Sequence, residues 1–182
     1  MFWKQFFKST PRVDAARELY AAIVAQARQE GFYAALGVPD TLDGRFDVIT
    51  LHAVLVMDRL GQSANAKTRD FGQIVFDEMF AALDMNLREM GVGDLSISKR
   101  VKKMAEVFYG RAGAYREALK AGDDKALAKA IARNIYPEGA PKGASERLAK
   151  YVKDTAAKLS EQKESDLLAA RVSFPNAPES LK

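Results

Sequence analysis

Phe46-Asp47-Val48-Ile49-Thr50-Leu51-His52-Ala53-Val54-Leu55-Val56-Met57-Asp58-Arg59-Leu60 is the stretch on which the fold turns. It is apolar on almost every side and rich in β-branched residues, so strand and helix compete for it. Its length exceeds that of an ordinary strand, and Gly61 follows directly, which favours a helix buried on most faces. The uncharged run inside it, Val48 to Met57, is ten residues long. A membrane-spanning helix needs about 20.

Working outward, the flanking sequence repeats at helical spacing. Thr10-Pro11 reads as an N-cap followed by proline in the first turn. Val13, Ala16, Tyr20, Ile23 and Ala27 then recur three and four residues apart, and Gly31 ends the run. Residues 31–44 read as loop, with Asp40 and Asp43 as turn formers. On the other side, residues 70–90 form the clearest element. Phe76, Phe80, Leu83, Leu87 and Met90 make a stripe widened by Val75 and Met79, while Asp77, Asp84 and Arg88 share the opposite face. After Gly91-Val92-Gly93, a second stripe runs through Val101, Met104, Phe108, Ala112, Tyr115 and Leu119 to Gly122. Asp123 caps a short helix that stops at Tyr136-Pro137, and Leu148, Val152, Thr155 and Leu159 mark a last long helix. Nothing alternates convincingly at period two. The expectation is an all-α chain, a single-domain irregular bundle of six to seven helices. Its parts are an amphipathic N-terminal segment over 1–10, a helical domain over 11–172 and a flexible tail over 173–182.

Composition narrows the chemistry. The chain has 182 residues, no Cys and one His, His52. Disulfides, thiol catalysis, iron–sulfur clusters and His-cluster metal sites therefore have no ligands, and neither a metal nor another cofactor is expected. The charge is uneven: residues 1–98 carry 10 basic against 13 acidic side chains, net −3, and residues 99–182 carry 18 against 11, net +7. A basic half of this kind meets nucleic acid, an acidic protein or an anionic membrane surface, or simply keeps a helical face solvated. The start of the chain shows no apolar signal-peptide core, which makes the cytoplasm the expected compartment.

Motifs with catalytic content are missing. Gly91-Val92-Gly93-Asp94-Leu95-Ser96 begins like a dinucleotide fingerprint, but Ser96 stands where the third glycine belongs and the run follows a helix. There is no phosphate-binding loop, zinc-protease signature or nucleophile elbow. The expectation is a protein that is not an enzyme. His52 reads as a hydrogen-bonded, partly buried structural residue, with a proton switch as the alternative. Lys99, Arg100, Lys102 and Lys103 read as a solvated helix start or as a clamp for phosphates. Phe2, Trp3, Phe6 and Phe7 fall in one helical arc with Lys4 and Lys8 opposite, which suits a membrane surface or a fold back onto the domain.

Three blocks together carry a resemblance. The first joins Phe32-Tyr33, Leu36-Gly37-Val38-Pro39-Asp40, Asp43-Gly44-Arg45-Phe46-Asp47 and Leu51-His52. The second joins Phe76-Asp77-Glu78-Met79-Phe80 to Leu87-Arg88-Glu89-Met90-Gly91-Val92-Gly93-Asp94-Leu95-Ser96. The third holds Val101-Lys102-Lys103-Met104, Phe108-Tyr109-Gly110-Arg111 and Ala114-Tyr115. The chain resembles the ubiquinol–cytochrome c chaperone family in its bacterial form. That resemblance implies a non-enzymatic assembly factor that binds newly made cytochrome b for assembly of ubiquinol–cytochrome c reductase, with contacts to the ribosome and peripherally to the inner membrane. The second function class, from the basic half alone, is an RNA- or ribosome-binding adaptor. For partner binding the sequence offers two sets. Met79 and Phe80, with Met85, Met90, Met104 and Phe108, are adaptable apolar material that also suits a core. The Gly91–Ser96 connection, with Arg88, Gly91, Gly93, Asp94, Leu95 and Lys99, suits recognition or plain helix capping.

Overall fold

A computed structural model describes residues 10–179. Thr10 caps the first helix as its sequence demands. Its hydroxyl accepts from the Val13 N–H at 3.3 Å, and Pro11 opens α1 (Pro11–Ala27). The stretch that decides the fold is a helix, α2 (Leu42–Gly61). It begins four residues before Phe46 because Thr41 is its N-cap, accepting from the Gly44 N–H at 3.1 Å. α3 (Ala66–Glu89), α4 (Asp94–Ala121), α5 (Asp124–Ile135), α6 (Ala144–Glu161) and the short α7 (Glu164–Leu168) follow. Among the described residues there are seven α-helices and no strand.

Residues 31–44, expected as loop, are partly ordered differently. Gly31–Ala35 form one π turn that drops Phe32 into the core. The segment from Ser173, expected to be loose, is instead tied down as far as residue 179. The Phe174 carbonyl accepts from Lys158 Nζ at 2.8 Å, and the Pro175 carbonyl accepts from Gln26 Nε2 at 2.9 Å. The Glu179 carbonyl accepts from Arg147 at 2.5 Å. Gly31 is what lets this segment lie flat, because a Cβ there would sit 2.3 Å from the Pro178 carbonyl oxygen.

α2 is the axis. From Phe46 to Val56 every residue is buried, and the helix packs against α1, α3, α4, α5 and α6. A helix apolar all round needs such a sheath. Its one imidazole is satisfied inside it. A carbonyl can only accept, so His52 Nδ1 carries the proton given to Val48 O at 2.8 Å. Nε2 then accepts from the Tyr151 hydroxyl, also at 2.8 Å, and Gln26 Nε2 donates to that same hydroxyl at 2.8 Å. Phe32 and Phe174 meet the His52 ring edge-on, with centroids 5.2 and 5.6 Å away. The hydrogen-bonded structural reading of His52 is the observed one, with burial complete rather than partial.

α3 shows which side of the Met/Phe stripe is core. Phe71, Val75, Met79, Leu83 and Leu87, four residues apart, are buried. Phe76 and Phe80 are half-buried against Phe108 of α4, and Met90 lies outside the stripe, 58% exposed. Met79, one of the candidate contact residues, has no exposed surface and belongs to the core.

Burial lowers the His52 pKa to about 4, since the charged ring would lose its water. The unfolded chain therefore takes up a proton that the fold does not between pH 6.5 and about 4. Stability falls as pH drops through that window and this contribution levels off below it. His52→Phe should cost about 1–3 kcal/mol at pH 7, because the buried Tyr151 O–H loses its acceptor while still accepting from Gln26. It should also remove this part of the pH slope in urea midpoints taken from pH 7 to pH 4. A slope as steep as in the parent would mean that His52 does not set it. Gly31→Ala should lower the thermal midpoint and open the segment after Ser173 to limited proteolysis, because the obstructing atom is backbone.

Candidate functional site

The α3–α4 connection is built from the helix ends that make it. Gly91 has φ +79°, a left-handed conformation that suits glycine. It donates to the Arg88 carbonyl at 2.9 Å, and Val92 N–H donates to Leu87 O at 3.1 Å. This pair of bonds is a Schellman cap, so Gly91 is explained by the end of α3. Gly93 is different. Its φ is −67°, and a Cβ there would meet nothing within 4 Å, so neither conformation nor packing within the chain asks for glycine. Asp94 opens α4, where a carboxylate suits the positive end of the helix. Arg88 bridges the two helices, with Nε 2.6 Å from Asp84 and Nη1 2.5 Å from Asp94. Ile97 anchors the first turn of α4 in the protein interior, and Lys99 is exposed.

Of the partner-binding candidates, the structure thus gathers Arg88, Gly91, Gly93, Asp94 and Lys99 at one end of the bundle, with the Leu95 backbone in the first turn of α4. Phe80 is separate, in an aromatic cluster with Phe76, Phe108 and Tyr109, and Tyr109 is 56% exposed. Phe2, Trp3, Phe6 and Phe7 lie outside the described residues. No helix among the described residues is long and apolar enough to cross a membrane. Nor do three or more His, Asp or Glu side chains there come together as a metal site would require.

A groove of about 1000 Å³ opens beside the connection, between α1, α2, α3, α4 and the end of α5. Tyr20, Val24, Phe46, Ile49, Leu83 and Leu87 give it an apolar lining, and Met90 brings it to the α3–α4 turn. Asp47 on α2 is buried in this lining and pairs with Arg111 of α4, which also donates to Asn134 O at 3.3 Å. Burial pushes the Asp47 carboxyl up to about 6 against the pull of the guanidinium. The rim is basic: Arg17, Arg28, Arg45, Arg100, Lys103 and Arg133 all border it. The run Lys99-Arg100-Lys102-Lys103 is therefore divided, with Arg100 and Lys103 turned to the groove one helical turn apart. Sequence reading missed the groove because its cations come from four helices. The i, i+3 spacing of Arg100 and Lys103 was its one linear trace.

Arg88 and Asp94 are exposed, and exposed ion pairs contribute at most about 1 kcal/mol. The double change Arg88→Ala, Asp94→Ala should leave the thermal midpoint within a few degrees of the parent. A larger drop in a melting curve would assign the pair to the fold.

The comparisons with known proteins agree with one another. A sequence model of the ubiquinol-cytochrome C chaperone family matches residues 34–174. Ubiquinol-cytochrome-c reductase complex assembly factor 1 of Xenopus laevis is 26% identical over 121 residues, covering 66% of this chain and 60% of that protein. The Mus musculus protein of that name is 26% identical over 155 residues, covering 85% of this chain and 52% of its own length. The chain thus spans between about half and three-fifths of these curated relatives. The crystal structure of the Cbp3 homolog from Brucella abortus superposes with a TM-score of 0.82 at 38% identity, covering 91% of each chain. By the extent of the family match and the likeness to that structure, this chain belongs to the ubiquinol-cytochrome C chaperone family.

Proposed function

We infer that this protein is a non-enzymatic assembly factor for ubiquinol–cytochrome c reductase, that its client is newly made cytochrome b, and that the α3–α4 end of the bundle takes part in holding it. The family match over residues 34–174 is the observation that carries the reading, and the names of the curated relatives point the same way. The local chemistry supports the choice of surface. Met85 and Met90 are 57% and 58% exposed on the last turns of α3, beside a glycine, Gly93, that the fold itself does not require. Flexible thioethers adapt to irregular apolar partners, and an unencumbered backbone lets a partner approach closely. Arg88 and Asp94 would supply the polar edge of that contact. Phe2, Trp3, Phe6 and Phe7 would add a peripheral hold on the membrane where the client is delivered.

The test is co-purification from detergent-solubilised membranes, with the captured proteins identified. Cytochrome b or other reductase subunits should come down with the parent chain. The Arg88→Ala, Asp94→Ala protein should recover at most about a third as much while melting normally. Absence of every reductase subunit would overturn the function. Equal recovery by the double variant would remove this turn from the binding surface. Recovery of RNA, lost steeply as salt rises, would favour the adaptor reading instead.

A further inference from the structure

We propose that the groove between α1, α2, α3 and α4 is a binding site for an anionic phospholipid, with acyl chain along the apolar lining and phosphate on the arginine rim. The inference stands independently of the client reading, because it rests on the groove alone.

The first observation is size and lining. A volume of about 1000 Å³ is at the upper end for small-molecule sites, and such sites are mostly apolar with a few placed polar groups. The second is charge. Seven cationic side chains line or border the groove against two acids, Asp43 and Asp47. Asp47 is already engaged by Arg111, Arg45 by Asp40, and Lys103 by Glu106. Arg28, Arg100 and Arg133 are exposed at the groove and have no acidic partner among the described residues. They arrive from α1's C-terminal cap, α4 and α5, so the fold sets three unneutralised guanidiniums that are far apart in the chain on the border of one groove. Guanidinium is the group best shaped to hold phosphate oxygens in pairs.

Charge also decides between a lipid and a membrane-spanning helix as occupant. The flanks of spanning helices on the cytoplasmic side are enriched in Lys and Arg. They would meet a rim of their own sign. An anionic headgroup meets the opposite sign, and its acyl chain asks for no hydrogen bonds from a lining that has few to offer.

The experiment is titration of the full chain with short-chain phosphatidylglycerol below its micelle threshold, so that adsorption to a vesicle surface does not contribute. Phosphatidylcholine of the same chain length and glycerol phosphate are titrated alongside. Phosphatidylglycerol should bind at least about tenfold more tightly than either, and more weakly as salt rises. The triple change Arg28→Glu, Arg100→Glu, Arg133→Glu should weaken it at least about tenfold while the melting curve is kept. A second variant, Ala25→Trp, fills the groove from an exposed position on α1 and should weaken binding without altering charge. Four results would overturn the proposal: equal affinity for phosphatidylcholine; equal affinity for glycerol phosphate, which would make this a simple anion site; unchanged binding by both variants; or tighter binding of an apolar helical peptide with acidic flanks, which would give the groove to a protein segment.

Discussion

Burying α2 on every side is the constraint from which the rest of the structure follows. An eleven-residue stretch with no exposed face, from Phe46 to Val56, cannot be satisfied by one neighbour, and five other helices close around it. That demand also places polar groups where water cannot reach them. His52 meets this by staying neutral and handing both ring nitrogens to fixed partners, Val48 O and the Tyr151 hydroxyl. Asp47 meets it through Arg111 at the edge of the sheath, where burial is less complete. The two residues answer the same desolvation cost in different ways: one gives up its charge, the other holds a counter-charge.

The groove is the complement of that sheath. Toward its N-terminal half α2 shows Phe46 and Ile49 to the groove lining, between helices α1, α3, α4 and α5. On α4, Arg111 pairs with the buried Asp47 while Arg100 and Lys103, earlier on the helix, border the opening. One helix thus supplies both the buried pair and part of the basic rim. The α3–α4 turn sits at the end of this opening through Leu87 and Met90, so the two candidate surfaces adjoin.

The helices were legible because each carries its own punctuation. Thr10-Pro11, Asp123 and Gly122 end or begin helices where their chemistry says they should. Apolar content alone places the start of α2 at Phe46, four residues late, whereas Thr41, accepting from the Gly44 N–H, decides where the helix begins. Gly31 looked like a loop residue, and its reason is contact with residue 178, which no local pattern reveals. Met79 and Phe80 are neighbours in sequence and look equally suited to partner contact there. The 100° between them on the helix puts Met79 in the core and Phe80 at its margin. The resemblance to a family was readable from blocks of residues, but the groove was not, since its rim is assembled only when α1, α2, α4 and α5 meet.

The hydrogen-bond chain through His52 has a consequence in time. Gln26, His52, Tyr151 and Pro175 are spread across 149 residues, and the ring of Phe174 closes the same cluster. A ribosome delivers α1, α2 and α3 long before it delivers α6, so the side of α2 that packs on α6 and meets Tyr151 must wait uncovered while some ninety residues between the end of α2 and Tyr151 are made. Contacts of such separation form late and slowly. A protein whose curated relatives are named as assembly factors of the ubiquinol-cytochrome c reductase complex has, in its own synthesis, a hydrophobic helix that is covered on one side only when α6 appears.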